Sequence, residues 1–290
     1  MAIKLIIDSA SDIPVSYAKE HNMTYLPLPV TIGEKQYLSG VDISPEQFYE
    51  ILIESDCLPV TSQVSPFAFE QAFRDVIAQG DTPVAITLSS KLSGTYQSAC
   101  IAAANFDGKA FVIDSMNVSL GEAILIYYAE RLIAQDLTAS QLATKLDSVK
   151  QNIKVIALLD TLEYLKKGGR ISAAAAVVGG LLSIKPVIAI ENGEVQLIGK
   201  ARGSKQGNNL LNEMIANCHG VDFSMPLTLA FSGISDALLQ KYITDSRNLW
   251  EGRINRLPVL SIGATIGTHA GPGAIGVAFF EQPDKESHSC

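Results

Sequence analysis

Two patterns and a break between them predict an α/β fold of two domains. From Ile3 to Leu159 short apolar runs alternate with amphipathic stretches, the order that gives parallel strands joined by crossover helices. Around residue 160 that order gives way to a hairpin, then helices and strands in mixed succession, which predicts an α+β unit with a mixed sheet. The expected division is a doubly wound parallel-sheet domain over 1–160, an α+β domain over 161–282 and a polar tail over 283–290.

Each element has a local reason. Ile3–Ile7 is an apolar strand that ends in the turn-forming run Asp8-Ser9-Ala10-Ser11-Asp12, and Met23–Val30 is expected as a second strand. Ser44-Pro45-Glu46-Gln47 spells a capping box with proline in the first turn, so a helix should run to about Ser55. Ser65-Pro66 repeats the cap-plus-proline signal before a helix over Phe67–Ala78, leaving Thr61-Ser62-Gln63 in the preceding loop. Val84–Leu88 is a buried strand, Tyr96–Ala104 a helix and Ala110–Asp114 a strand. Ser119–Gln135 and Thr138–Val149 follow as helices, the latter with its own capping box, before a strand at Lys154–Leu159. In the second half, Thr161–Lys167 is helical and stops at Gly168-Gly169, where glycine closes a helix easily. Asn192-Gly193 joins Ile184–Glu191 to Glu194–Lys200 as a hairpin. Ser204–Cys218 and Ser235–Leu249 are amphipathic helices, and Leu227–Phe231, Leu257–Ile262 and Ala274–Phe280 complete the sheet.

Composition excludes several function classes. Hydrophobic residues make up 47% and charged residues 18%, so the chain can build a core, and 22 Lys and Arg against 30 Asp and Glu give a net charge of −8. That balance disfavours nucleic acid or an anionic membrane as main partner. Met1–Asp8 reads as a strand and not as a secretory leader, and no run approaches the ~18 apolar residues a spanning helix needs. Cys57, Cys100, Cys218 and Cys290 show no metal-like spacing, which fits reduced thiols in a cytoplasmic protein without a metal site.

The chemistry concentrates in a few stretches. Ser89 to Thr95 place four hydroxyl residues and Gly94 in seven positions, between a strand and a helix. Free N–H groups and the helix dipole converge at such a junction, so it suits an anion, a carboxylate or phosphate at the mouth of the sheet. Gly263–Gly276 holds five glycines around His269, a loop in which backbone can approach a ligand closely. Its Gly271–Gly276 portion spells GxGxxG but precedes a strand, which rules out a dinucleotide fingerprint. Gly199-Lys200-Ala201 lacks the hydroxyl residue and glycine spacing of a phosphate loop. The small residues of Ala173–Val178 and Gly179-Gly180 either let another helix pack closely or leave a slot for an apolar ligand. Arg170 and Arg202 read as ordinary surface charge. A serine hydrolase with Ser93 as nucleophile, His269 as base and Asp8 as orienter is the natural enzymatic alternative, although no GxSxG elbow frames a serine.

Side by side, these stretches resemble the DegV family, which includes the fatty-acid-binding subunits of bacterial fatty acid kinase. The resemblance is carried by Ile6-Ile7-Asp8-Ser9, Thr61-Ser62-Gln63, Leu92 to Ala99, Leu162 to Ile171, His269-Ala270-Gly271-Pro272-Gly273 and Gly276 to Phe279. Val64 departs from the proline that the family often has there. The resemblance implies a two-domain DegV-like fold with a long-chain fatty acid such as palmitate buried inside. It implies a carboxylate held by Thr61 and Ser93, with Ser62, Gly94 and Thr95 beside them and His269 close by. It further implies a carrier rather than an enzyme, with no cofactor besides the bound acid. A separate kinase subunit would make the acyl phosphate, and Arg170 and Arg202 would face it. A ligand-sensing regulator acting through protein contacts is a third class open to the same residues.

Overall fold

The computed structural model describes residues 2–55, 57–172 and 184–282. The tail at 283–290 and the small-residue run at 173–182 lie outside them.

Alternation of side chains builds the first layer. In the strand Ile3–Asp8, Leu5 and Ile7 face one way and Ile6 the other; in Thr82–Thr87, Val84 and Ile86 oppose Ala85 in the same sense. Both faces are therefore apolar and both are covered. Ile6 and Ala85 pack on Phe69 and Phe73 of the helix Pro66–Ala78 and on Ala99 and Ala102 of Thr95–Ala103. Leu5, Ile7, Val84 and Ile86 pack on Leu120–Ile133 and Ala139–Val149. The sheet itself is four parallel strands in the order Thr24–Leu26, Ile3–Asp8, Thr82–Thr87, Phe111–Asp114. This is the doubly wound arrangement expected of a two-sided apolar parallel sheet.

The second layer is a mixed six-stranded sheet in the order Glu194–Arg202, Ile184–Glu191, Ile153–Leu158, Ile275–Phe280, Thr228–Phe231, Val259–Ser261. All its pairs are antiparallel except the last, Thr228–Phe231 with Val259–Ser261. One face, carrying Ile156, Leu158, Val187, Leu229 and Val277, packs on the helices Gly203–Asn217 and Ala237–Asp245. The opposite face, carrying Val155, Ile188, Ile190, Val195 and Ala278, joins the core of the first sheet through Leu120–Ile133. That helix has nine of its fourteen residues buried because it is covered by both sheets.

Three expectations need correction. The strand at 153–158 does not close the parallel sheet; it sits inside the mixed sheet, between Ile184–Glu191 and Ile275–Phe280. Met23–Val30 is not one strand. Pro27 and Pro29 interrupt it, so Thr24–Leu26 joins the parallel sheet while Pro29–Ile32 starts a separate antiparallel sheet with Lys35–Leu38 and Val60–Thr61. Ser235–Leu249 divides into Ala237–Asp245 and Arg247–Trp250. The local signals hold elsewhere: the capping boxes at Ser44 and Thr138 are formed with both reciprocal hydrogen bonds, and Asn192-Gly193 turns the hairpin with positive φ at both residues.

Candidate functional site

A cavity of about 110 Å³ lies between the two sheets, and its wall is divided by chemistry. Most of the lining is aliphatic, including Leu88, Leu120, Val155, Ala157, Ile188 and Ile262. The polar residues Thr61, Ser62, Gln63, Ser93, Arg170 and His269 also line it.

Thr61 ends the two-residue strand Val60–Thr61, held in register opposite Val30. Its Oγ1 shares a 2.9 Å hydrogen bond with Nε2 of His269, 208 positions away in the chain. His269 is not in a loop, as its glycine-rich surroundings suggest, but in the last turn of a seven-residue helix, Ala264–Ala270. Two features allow that helix. Gly267 lies against the Phe48 ring and the Tyr49 phenol, where no Cβ fits. At its start, the Gly263 N–H donates to Asp12 Oδ1 at 2.8 Å, and the Thr265 N–H donates to Ser39 Oγ at 3.3 Å. On the far side of the imidazole, Gly168 packs its bare Cα against Nδ1. Nδ1 has no hydrogen-bond partner among the described residues. Burial first, and the nearby Arg170 charge second, push the His269 pKa down to about 4, so the ring is neutral at physiological pH.

Ser93 sits in the turn before the helix Thr95–Ala103, half-buried, with its Oγ 3.0 Å from Thr95 Oγ1. Thr95 is fully buried, and its hydroxyl accepts from the Val64 N–H at 3.3 Å. Gln63 Nε2 donates to Ser98 Oγ at 2.8 Å. These bonds tie the 61–64 segment to the 89–95 turn, so Thr61 and Ser93 are carried on two segments locked together. Gly94 caps the helix and gives Gln63 room, because a Cβ there would overlap the Gln63 amide. Arg170 is half-buried and donates from Nε to Leu92 O at 3.2 Å and from a terminal nitrogen to Gly168 O at 2.6 Å. Thr61, Ser62, Ser93, Arg170 and His269 are thus brought to one cavity, with Gly94 and Thr95 directly behind. Arg202 is not: it is exposed at the end of Glu194–Arg202, its N–H donating to Gln206.

Behind this polar end is a group of buried acids, Asp8, Asp12 and Glu122, of which sequence reasoning singled out only Asp8. Asp8 receives the Leu88 and Ala10 N–H groups, each at 2.9 Å, and Asp12 receives the Ser119 hydroxyl and the Gly263 N–H. Burial outweighs these donors and raises both pKa values to about 7. Glu122 is 0% exposed, neither oxygen has a hydrogen-bond partner among the described residues, and burial together with Asp8 and Asp12 drives its pKa well above the carboxylate range. The available signal was Asp8 and Asp12 flanking the carboxyl end of the first strand, where ligand-side residues of parallel sheets collect.

The arrangement suits a ligand with one polar or anionic end and an apolar remainder. It does not match a serine hydrolase. Ser93 Oγ is bonded to Thr95, His269 Nε2 to Thr61, and the Asp8 carboxylate to backbone N–H groups, so no relay links the three. Among the described residues no group of three or more His, Cys, Asp or Glu is placed to hold a metal ion, and no helix is long and apolar enough to cross a membrane.

A DegV domain-containing protein of Caldanaerobacter subterraneus is 36% identical over 281 residues, covering 97% of this chain and 99% of the relative. A DegV family protein from Thermus thermophilus, solved in a study of its fatty acid binding, superposes with a TM-score of 0.86 at 30% identity, covering 97% of this chain and 100% of its own. A protein from Thermotoga maritima whose structure revealed a fatty acid binding function gives 0.83 at 27% identity, with 97% and 100% coverage. The family model described as an uncharacterised protein of the DegV family matches residues 2–282, and this chain belongs to the DegV family.

Proposed function

We propose that this chain is a cytoplasmic carrier of a long-chain fatty acid such as palmitate. Its carboxylate is held by the hydroxyls of Thr61 and Ser93, and its acyl chain lies along the aliphatic wall. The carrier presents the carboxylate to a separate kinase that converts it to an acyl phosphate, with Arg170 and Arg202 on the kinase-facing side. The observation that carries this reading is the single cavity in which Thr61, Ser93 and His269 share a lining with Val155, Ala157, Ile188 and Ile190. Fatty acid binding by the Thermus and Thermotoga relatives supports it.

The energetics are consistent. Burial of roughly ten methylenes contributes about 8 kcal/mol at ~0.8 kcal/mol each, from which association and ordering subtract several kcal/mol. The head group then has only to be satisfied, since a buried carboxylate without donors is costly. Thr61 does this by accepting from His269 Nε2–H while donating its own hydrogen to the carboxylate. Ser93 donates in the same way, supported by Thr95 and the Gly94 turn, with Ser62 alongside. Neutral donors leave the carboxylate oxygens more nucleophilic than a bidentate arginine would, which suits later phosphorylation.

The test is mass spectrometry of lipid extracted from the purified protein, together with equilibrium binding by Thr61→Ala and Ser93→Ala. A copurifying long-chain acid is expected, with each variant binding roughly ten-fold more weakly, the worth of one hydrogen bond to a charged group. Wild-type protein that neither carries nor binds a fatty acid sinks the carrier reading; variants of unchanged affinity sink the head-group assignment. Acyl phosphate formed with a fatty acid kinase and ATP, and lost in Arg170→Ala, is the expected outcome for the presenting step.

A further inference from the structure

The strands Ile153–Leu158 and Ile184–Glu191 pair over only three residues, Ile156 with Ala189, Ala157 with Ile188 and Leu158 with Val187. Their other neighbours pair along their whole lengths. Beyond Ile156 the two strands therefore part, and a second cavity of about 530 Å³ opens in the split. Met116 and Asn117 line it from the side of the first sheet, and Met214 and Cys218 from the side of the helix Gly203–Asn217. Continued register would set Val155 opposite Ile190 as the first pair past the end of the ladder. These two residues line both cavities.

Their position follows from strand periodicity. Leu159, Ala157 and Val155 line the first cavity in succession, and alternate residues of a strand are about 6.6 Å apart. Leu159, one past the strand's end, continues along the chain to the helix Glu163–Lys167 and to Gly168 and Arg170 beside the imidazole, whereas Val155 stands two alternate positions, about 13 Å, back. An acyl chain anchored at the polar end and running along this wall meets Val155 and Ile190 at its methyl end. Past them the surroundings turn polar, with Lys154 and Glu281 paired at 3.1 Å in the second cavity.

Resting on the fatty-acid reading above, we propose that Val155 and Ile190 form the stop that sets the longest acyl chain accepted, by closing the acyl cavity off from the space in the sheet split. A longer acid has to displace these side chains or lift its head group, and each methylene left outside forfeits about four-fold in affinity. Trimming the pair joins the two cavities and moves the limit outward.

The experiment is binding of a homologous series of saturated fatty acids to wild type, to Val155→Ala/Ile190→Ala, to Ile190→Phe and to Leu229→Ala. Leu229 is buried on the opposite face of the mixed sheet and serves as the control for general loosening. Wild type should show affinity rising with length and then breaking off. The double variant should shift that break to longer acids, gaining on the order of ten-fold for an acid two carbons past the wild-type optimum. Ile190→Phe should shift the break to shorter acids, and Leu229→Ala should leave it in place. If the double variant does not fold, the Ile190→Phe arm decides alone. A break that stays put in both variants, or moves equally in Leu229→Ala, overturns the stop while leaving the carrier reading intact. Failure of wild type to bind any member of the series overturns the carrier reading instead.

Discussion

The two walls of the cavity are made by opposite means. On the side of the parallel sheet, polar groups gather at the carboxyl ends of the strands: Asp8, which ends the first strand, and Asp12 lie behind the lining, and Ser93, after the third strand in sequence, is part of it. Both acids are buried, and burial holds them near pKa 7. The wall supplied by the mixed sheet places alternate aliphatic residues, Val155, Ala157, Ile188 and Ile190, along antiparallel strands with no buried charge among them. Parallel strands all end at one edge, so their loops converge there; antiparallel strands offer a long uniform face. The polar lining is completed from outside the parallel sheet, by Thr61 on an antiparallel strand and by Arg170 and His269.

The largest expected effect tests the aliphatic wall. Ala157→Phe should fill the middle of the cavity with a ring and displace about four methylenes, lowering fatty acid affinity more than 100-fold by calorimetry or fluorescence competition while thermal stability changes little. Near-wild-type affinity would show that the tail runs elsewhere and that the contrast between the walls has no bearing on binding.

The next concerns the buried acids behind the polar wall. Asp8 and Asp12 have folded pKa values raised to about 7, above the unfolded value of about 3.9, so between those pH values the folded state binds more protons than the unfolded one. Stability contributed by these groups is present at low pH and declines as pH rises toward 7. His269, lowered to about 4, acts in the opposite sense: its contribution is present above pH 6.5 and is lost as pH falls below that. Asp12→Asn keeps an acceptor for the Gly263 N–H and removes one acid. Urea unfolding at pH 5 and pH 7.5 should therefore show the variant gaining on wild type at the higher pH, by on the order of 1–2 kcal/mol. An identical pH dependence in both proteins would mean that Asp12 is ionised throughout.

The smallest effect tests the seat of the imidazole. Gly168 has an ordinary helical φ, so alanine strains no backbone there, yet its Cβ would overlap His269 Nδ1. Gly168→Ala should tilt the ring, loosen the Thr61 bond and cost about five-fold in fatty acid affinity. The His269 pKa, read by NMR, should rise as the ring gains solvent. An unmoved pKa with unchanged affinity would dissociate His269 from the head-group end.

How far all this was legible depended on whether the determining contacts were local. Ser44, Thr138 and Asn192-Gly193 are read correctly because caps and tight turns are decided within four residues. The Thr61–His269 bond spans 208 positions and no periodicity points to it; family resemblance suggested only that His269 stands close to Thr61 and Ser93. Gly263–Gly276 reads as loop because glycine opposes helix locally, whereas the Phe48 and Tyr49 rings and the Asp12 carboxylate supply a seat that makes helix the better state. Lys154–Leu159 is recognisable as a strand, but its sheet is not, since an apolar strand pairs as readily with one partner as another until the whole chain is placed.

The helix Leu120–Ile133 carries one more implication. It is encoded in the first half of the chain, yet its flanks are shared between both sheets. A gene cut near codon 160 would strip one oily flank bare in the amino-terminal fragment and unroof the sheet in the other. Neither piece should stay in solution when produced alone, and the two made together in one cell should recover each other.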